Sequence, residues 1–138
     1  MLKISLTRKG AKAPTRGSVE SAGLDLYAAE SVRIRSGDRA LISCGFEMSL
    51  PAGYVGLIWP RSGLAMAGLT VDAGVIDSDY RGDIKVLMVN NAYGHHQINE
   101  GDRIAQMLIQ RVEMWEPIIT DELDATGRGD GGFGSTGK

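Results

Sequence analysis

VRIRSGDRALISCGFEMSLPAGYVGLIWP, residues 32–60, decides the fold. Val32 and Ile34 face one way along an extended chain and Arg33 and Arg35 the other, the period-two pattern of a half-buried strand. Two more short apolar runs follow, Ala40-Leu41-Ile42 and Tyr54 to Trp59. Ser36-Gly37-Asp38 and Pro51-Ala52-Gly53 separate them with turn chemistry. The pattern continues outward in both directions. Lys3-Ile4-Ser5-Leu6 precedes it, while Ile84 to Val89 and Ile104 to Val112 follow, with turns at Tyr93-Gly94 and Glu100-Gly101-Asp102. Many short strands at this spacing predict an all-β chain: a sandwich, jelly roll or barrel.

One stretch breaks the pattern. Arg61-Ser62-Gly63-Leu64-Ala65-Met66-Ala67-Gly68 places Ser62 as a candidate N-cap, helix formers behind it and Gly68 as a stop. A helix of one or two turns is expected, with its free N–H groups turned towards an anion.

Composition narrows the class. The 138 residues fit one domain, and 43% hydrophobic with 23% charged residues is ordinary for a globular core. A net charge of −2 leaves no global basic field for nucleic acid or anionic lipid, so any bound anion needs a local cluster. Cys44 is the only cysteine, which excludes an internal disulfide and a multi-thiolate zinc site and predicts a reducing compartment. The opening MLKISLTRKG has no long apolar run, and nothing later approaches a membrane span, so neither secretion nor membrane insertion is expected. The 19 glycines are about twice the usual share and cluster in short blocks, as turns or a ligand cradle require.

The C-terminal stretch reads differently. Residues 1–119 form a β-rich unit, and 120–138 form a glycine-rich arm, too poor in apolar residues to fold alone. Its end fits the GxxxxGK half of a phosphate-loop pattern, yet no Ser/Thr or helix follows Lys138, so that match is rejected. Arg128, Phe133, Ser135 and Thr136 remain the residue types that grip phosphate and stack on a base. Upstream, Gly74 to Asp83 lies between two strand runs and reads as a hairpin. Its Asp77, directly after Val75-Ile76, is either a solvated turn residue or a partly buried carboxylate suited to orienting water. Asp25, between Leu24 and Leu26, reads equally as a hydrogen-bonded carboxylate or a metal-associated one. His95 and His96 lie in a polar turn without a spaced partner ligand.

Five blocks in order complete the pattern: Ala22-Gly23-Leu24-Asp25-Leu26-Tyr27-Ala28-Ala29, Pro60-Arg61-Ser62-Gly63-Leu64-Ala65, Gly74 to Gly82, Gly101-Asp102-Arg103-Ile104-Ala105-Gln106, and Arg128 to Gly137. With them the chain resembles the homotrimeric dUTPases over nearly its whole length. Leu24, Leu57, Trp59 and Asp72 depart from the commoner residues of that family. The resemblance implies a distorted jelly roll, a β-barrel-like β-clip, with one short helix and a flexible C-terminal arm. It implies a homotrimer with active sites shared between subunits, and hydrolysis of dUTP to dUMP and pyrophosphate by water attacking the α-phosphorus.

Carried onto these positions, the resemblance implies that Asp77 is the general base and that Gln106 holds the water or a phosphate oxygen. Arg61, Ser62 and Gly63 would grip the phosphate chain. Asp25 would reach Mg²⁺ through water, the metal being held mostly by the triphosphate. Gly74, Val75, Ile76 and Lys85 would read uracil, and Tyr80 would pack on deoxyribose. Arg128, Gly134, Ser135 and Thr136 would clamp phosphate, with Phe133 over the base. Arg103 either assists or, the favoured reading, forms a structural ion pair. The resemblance implies no direct nucleic-acid or membrane binding and a cytoplasmic or nuclear location, and it leaves a regulatory protein partner open. Three other readings carry less: a dCTP deaminase-like enzyme of the same fold, a dUTP-binding regulatory module, and a structural β-sandwich.

Overall fold

The structure, a computed structural model, describes residues 1–132. Its strands are β1 (Lys3–Leu6), β2 (Thr15–Arg16), β3 (Leu24–Tyr27), β4 (Val32–Ile34), β5 (Arg39–Ser43), β6 (Phe46–Ser49) and β7 (Tyr54–Trp59). After the helix α1 (Ser62–Met66) come β8 (Leu69–Asp72), β9 (Val75–Ile76), β10 (Lys85–Asn90), β11 (His96–Ile98) and β12 (Arg103–Arg111). The predicted runs therefore all became strands, and the all-β jelly-roll class holds. No single closed barrel forms among the described residues; the strands divide into sheets β1-β6, β5-β10-β8, β11-β4 and β2-β3-β12-β7-β9. No helix among them is long and apolar enough to cross a membrane.

Period-two patterning sorts the side chains. In β10, Val86, Met88 and Asn90 are buried, while Lys85 is exposed. Val86 and Met88 meet Leu26, Ile34, Ile42, Phe46, Ile84, Ile104 and Met107 in one continuous core. Each such side chain contributes roughly 1.5–3 kcal/mol relative to exposure.

Two details of the five-stranded sheet position the site. The first is a register shift in β12, between Arg103, opposite Tyr27, and Ala105, opposite Leu26. Ile104 and Ala105 are consequently both buried, and strict alternation is broken. Arg103 and Gln106, three residues apart, would face opposite sides of a regular strand. With the bulge they reach the same side. The second detail is Gly74, whose φ is +117° and where a Cβ would lie 2.8 Å from the Ile58 carbonyl oxygen. Only glycine lets the chain press against β7 there, and the Ile58 N–H donates to the Gly74 carbonyl at 2.8 Å.

That contact corrects the hairpin reading of residues 74–83. β8 and β10 do pair antiparallel, but the segment between them is a long excursion, and its β9 pairs with β7 in another sheet. The helix also differs from expectation. Arg61, extended at φ −93° and ψ 137°, occupies the N-cap position, and Ser62 is the first helical residue with no side-chain cap bond. The helix thus starts one residue earlier than a Ser62 cap implies.

Candidate functional site

A cavity of about 310 Å³ opens where α1 begins, lined by Gly17, Ser21, Gly23, Asp25, Arg61, Ser62, Gly63, Arg103 and Gln106. β3 supplies Asp25, the exit of β7 supplies Arg61, and β12 supplies Arg103 and Gln106. Asp25 pairs with Gln106 across the β3–β12 ladder, so both side chains leave the sheet on one face. The Asp25 carboxylate bridges two guanidiniums: Oδ1 lies 3.3 Å from Arg61 Nε, and Oδ2 3.2 Å from Arg103 Nη1. Its side chain is 15% exposed, against 29% for Arg61 and 51% for Arg103. Arg61 Nη1 also donates to the Arg103 carbonyl at 3.2 Å.

These three groups sum to +1, and the carboxylate fixes two cations that would otherwise repel. The favoured structural pairing of Arg103 is what the structure shows, and Arg103 lines the cavity as well. Gln106 Nε2 donates to the Pro60 carbonyl at 3.0 Å, tying the central strand to the turn before α1. A Cβ at Gly23 would fall 2.7 Å from Gln106 Oε1, so glycine there lets the backbone close over the amide. Sequence reading missed Gly17, Ser21 and Gly23 as lining residues. Gly23 was legible as the residue two before Asp25 in the first block; Gly17 and Ser21 had no such signal.

The remaining candidates gather elsewhere. Val75, Ile76, Asp77, Tyr80 and Lys85 line a second cavity of about 320 Å³ together with Leu41 and Asp83. Asp77 is exposed there, not partly buried, because β9 is the edge strand of its sheet. Its carbonyl accepts the Tyr80 N–H at 3.2 Å, and the Tyr80 hydroxyl donates to the Asp83 carbonyl at 3.3 Å, which turns the ring into the cavity wall. Gly74 lies apart, with Trp59 and Val71 around a third cavity of about 420 Å³.

The two site cavities share no lining residue. Ile76 is level with Gly56 of β7, so Asp77 leaves the sheet towards Tyr54, whereas Gln106 is level with Trp59 at the other end. Four strand residues separate those levels by roughly 13 Å. One chain does not bring Asp77 to Gln106.

Arg128 reaches neither cavity; its Nε donates to the Gly131 carbonyl at 2.8 Å within its own turn. Phe133, Gly134, Ser135 and Thr136 lie outside the described residues. His95 is exposed, and its Nδ1 meets Arg33 Nη2 at 2.8 Å; His96 begins β11, and its Nε2 meets the Ala67 carbonyl at 3.2 Å.

Magnesium can be tested against this donor set. No cluster of three or more His, Cys, Asp or Glu residues occurs among the described residues, so they form no all-protein cage. Asp25 fits the other mode, in which Mg²⁺ keeps its waters and is bound mainly by phosphates. Each of its oxygens has one guanidinium partner and keeps a second lone pair for a metal-bound water.

The chain is thus all-β, with two arginines and a carboxylate around one cavity and carboxylate, tyrosine and lysine around a separate edge cavity. The dUTPase family model matches residues 9–137. A deoxyuridine 5′-triphosphate nucleotidohydrolase of Yarrowia lipolytica is 48% identical over 99% of this chain and 88% of its own length. One from Variola virus is 49% identical over 92% of this chain and 86% of its own length. Among solved structures, a mutant dUTPase of Staphylococcus bacteriophage 80alpha with dUpNHpp superposes with a TM-score of 0.95 at 28% identity, covering 100% of this chain and 99% of that one. A mutant dUTPase from phage phi11 of S. aureus, described for the coordination of a structural Mg(II) ion, matches with a TM-score of 0.86 at 29% identity, over 91% of this chain and 99% of that one. The chain belongs to the dUTPase family.

Proposed function

We propose that this chain hydrolyses dUTP to dUMP and pyrophosphate, as a homotrimer whose sites are shared between subunits. The observation that carries the reading is the division of the site over two cavities at opposite ends of β7. A nucleotide has a base with sugar and a phosphate chain, and the reaction requires the base catalyst at the phosphate. If Asp77 serves a phosphate cavity at all, a second copy of the chain must bring the two together.

In this reading Arg61, with the N–H groups of Ser62 and Gly63, neutralises and orients the phosphates, and Asp25 keeps Arg61 aimed. Gln106 holds the attacking water in line, and Asp77 of a neighbouring copy accepts its proton. Mg²⁺, bound to the substrate and reached by Asp25 through water, supplies charge neutralisation on the phosphate oxygens. Tyr80 packs on the deoxyribose and leaves no room for a ribose 2′-hydroxyl. Val75, Ile76 and Lys85, with the adjoining Gly74, frame uracil, rejecting cytosine by unpaired polar groups and thymine by its methyl. The arm from residue 120 onward closes the site, Arg128, Gly134, Ser135 and Thr136 on phosphate and Phe133 on the base. The free thiol of Cys44 suits a reducing compartment, the cytoplasm or nucleus.

Pyrophosphate release measured with dUTP, dCTP, dTTP and UTP tests the assignment. Release from dUTP alone is expected. Ammonia release from dCTP would instead identify the deaminase reaction, and tight dUTP binding without turnover a purely regulatory module.

A further inference from the structure

A further group of polar residues belongs to neither site cavity. Arg33, Arg35, Ser36, Gly94 and His95 line a cavity of about 460 Å³ on the β4–β11 sheet. We propose that this cavity binds a compact diphosphate-type oxyanion, at a place distinct from the nucleotide site and independent of the catalytic reading above.

Alternation along β4 sends Arg33 and Arg35 to the same face, roughly 7 Å apart, while Val32 and Ile34 turn inward. Continuing the β4–β11 register beyond the His96–Ile34 pair brings His95 level with Arg35. The cavity lining contains no carboxylate, and neither arginine makes an ion pair among the described residues. Two like charges thus converge on one concavity without a counter-charge, in a chain of net charge −2 that contains 17 acidic residues.

Arg33 Nη2 is a donor only, so His95 Nδ1 at 2.8 Å must accept, which leaves the ring Nε2–H as a further donor. The wall is also rigidly built. Asn90, fully buried, donates from Nδ2 to the Ile34 carbonyl at 3.1 Å and the Gly94 carbonyl at 3.0 Å, and its Oδ1 accepts the Ala92 N–H at 2.9 Å. Ser36 Oγ donates to the Ala92 carbonyl at 2.7 Å. The loop that carries His95 is therefore fixed on the strand that carries the arginines before any ligand arrives.

The spacing selects the ligand. Two guanidinium forks at successive same-face positions match two linked phosphoryl groups better than one. An extended polyanion is disfavoured, since beyond this cavity it would meet a net acidic protein.

Titrating the full chain with inorganic pyrophosphate, at constant ionic strength and without metal, tests this by amide NMR. Saturable shifts are expected at Gly94 and His95. Arg33→Gln with Arg35→Gln should weaken them at least ~10-fold, as should replacing pyrophosphate by inorganic phosphate. Arg33→Lys with Arg35→Lys, which keeps the charge and removes the forks, should fall between. Arg61→Ala should leave these shifts intact and remove only those around α1. The proposal is overturned by absent shifts, by shifts that chloride reproduces, by shifts that survive both double variants, or by equal affinity for phosphate.

Discussion

The phosphate cavity and the edge cavity are built to different standards. Around α1, Asp25 grips Arg61 and Arg103 while Gln106 is tied to Pro60, so the charged groups are placed before a ligand arrives. Around β9, Asp77 and Tyr80 are exposed and Lys85 stands at the surface, held by a short turn on an edge strand. A finished cavity beside an unfinished one is what the proposed sharing of a site between subunits calls for. On that proposal the finished part belongs to the chain alone, and the other becomes a site only when a neighbour covers it.

The sharpest way to break that contrast is to disable each cavity on separate chains. With Asp77 as the proposed base, Asp77→Asn keeps shape, and turnover should fall at least ~10²-fold while dUTP still binds. Arg61→Ala should lose at least as much by weakening the phosphate grip. After the two variants are mixed by mild denaturation and refolding, activity should return to about one quarter of the wild-type level, since each site draws its two residues from different subunits at random. A mixture that stays dead would place both residues in one chain's site.

The arm gives the next effect. Truncation before Gly127 removes Arg128 and Phe133 but no strand of the described residues, whose last, β12, ends at Arg111. Melting temperature and oligomeric mass should hold while kcat nearly vanishes. A large drop in melting temperature would mean that the arm is part of the core.

A smaller effect separates binding from selection. With Tyr80 as the proposed sugar wall, Tyr80→Ala should raise kcat/KM for UTP relative to dUTP. An unchanged ratio would place sugar selection on the phosphate side.

How far these features were legible in the sequence depends on the range of the interaction. Strand runs such as Tyr54 to Trp59 announce themselves through local alternation and turn chemistry, so the all-β class was readable. Asp25 was visible only as a carboxylate between leucines. Its two arginine partners lie 36 and 78 residues away in sequence, and no local pattern encodes that meeting. The bulge at Arg103–Ala105 was equally silent, since one extra residue in a strand leaves the composition unchanged. The hairpin misreading of residues 74–83 has the same origin: β9 prefers β7 because Gly74 permits an approach that only the tertiary structure reveals. The roles of the site residues came from the resemblance, and geometry adds which of them one chain can assemble.

The smallest predicted effect concerns what supports the edge cavity from below. Asp83 lines that cavity, and its Oδ2 accepts the Ser43 hydroxyl at 2.7 Å, while its buried Oδ1 has no partner. Beside them Cys44 is fully buried, and burial, aided by the Asp83 charge, pushes its thiol from 9.0 up to about 12. The thiol is raised in the folded state, so its contribution to stability is complete below pH 9, the unfolded value. It is lost as pH rises from there towards 12, at roughly 1 kcal/mol per pH unit. Urea unfolding of wild type and Cys44→Ala from about pH 8 to pH 10 should therefore show the wild type losing more stability, with the curves parallel at lower pH. Asp83→Asn removes the smaller of the two causes and should reduce that loss only slightly. Parallel curves throughout would show that the Cys44 thiolate is solvated in the fold.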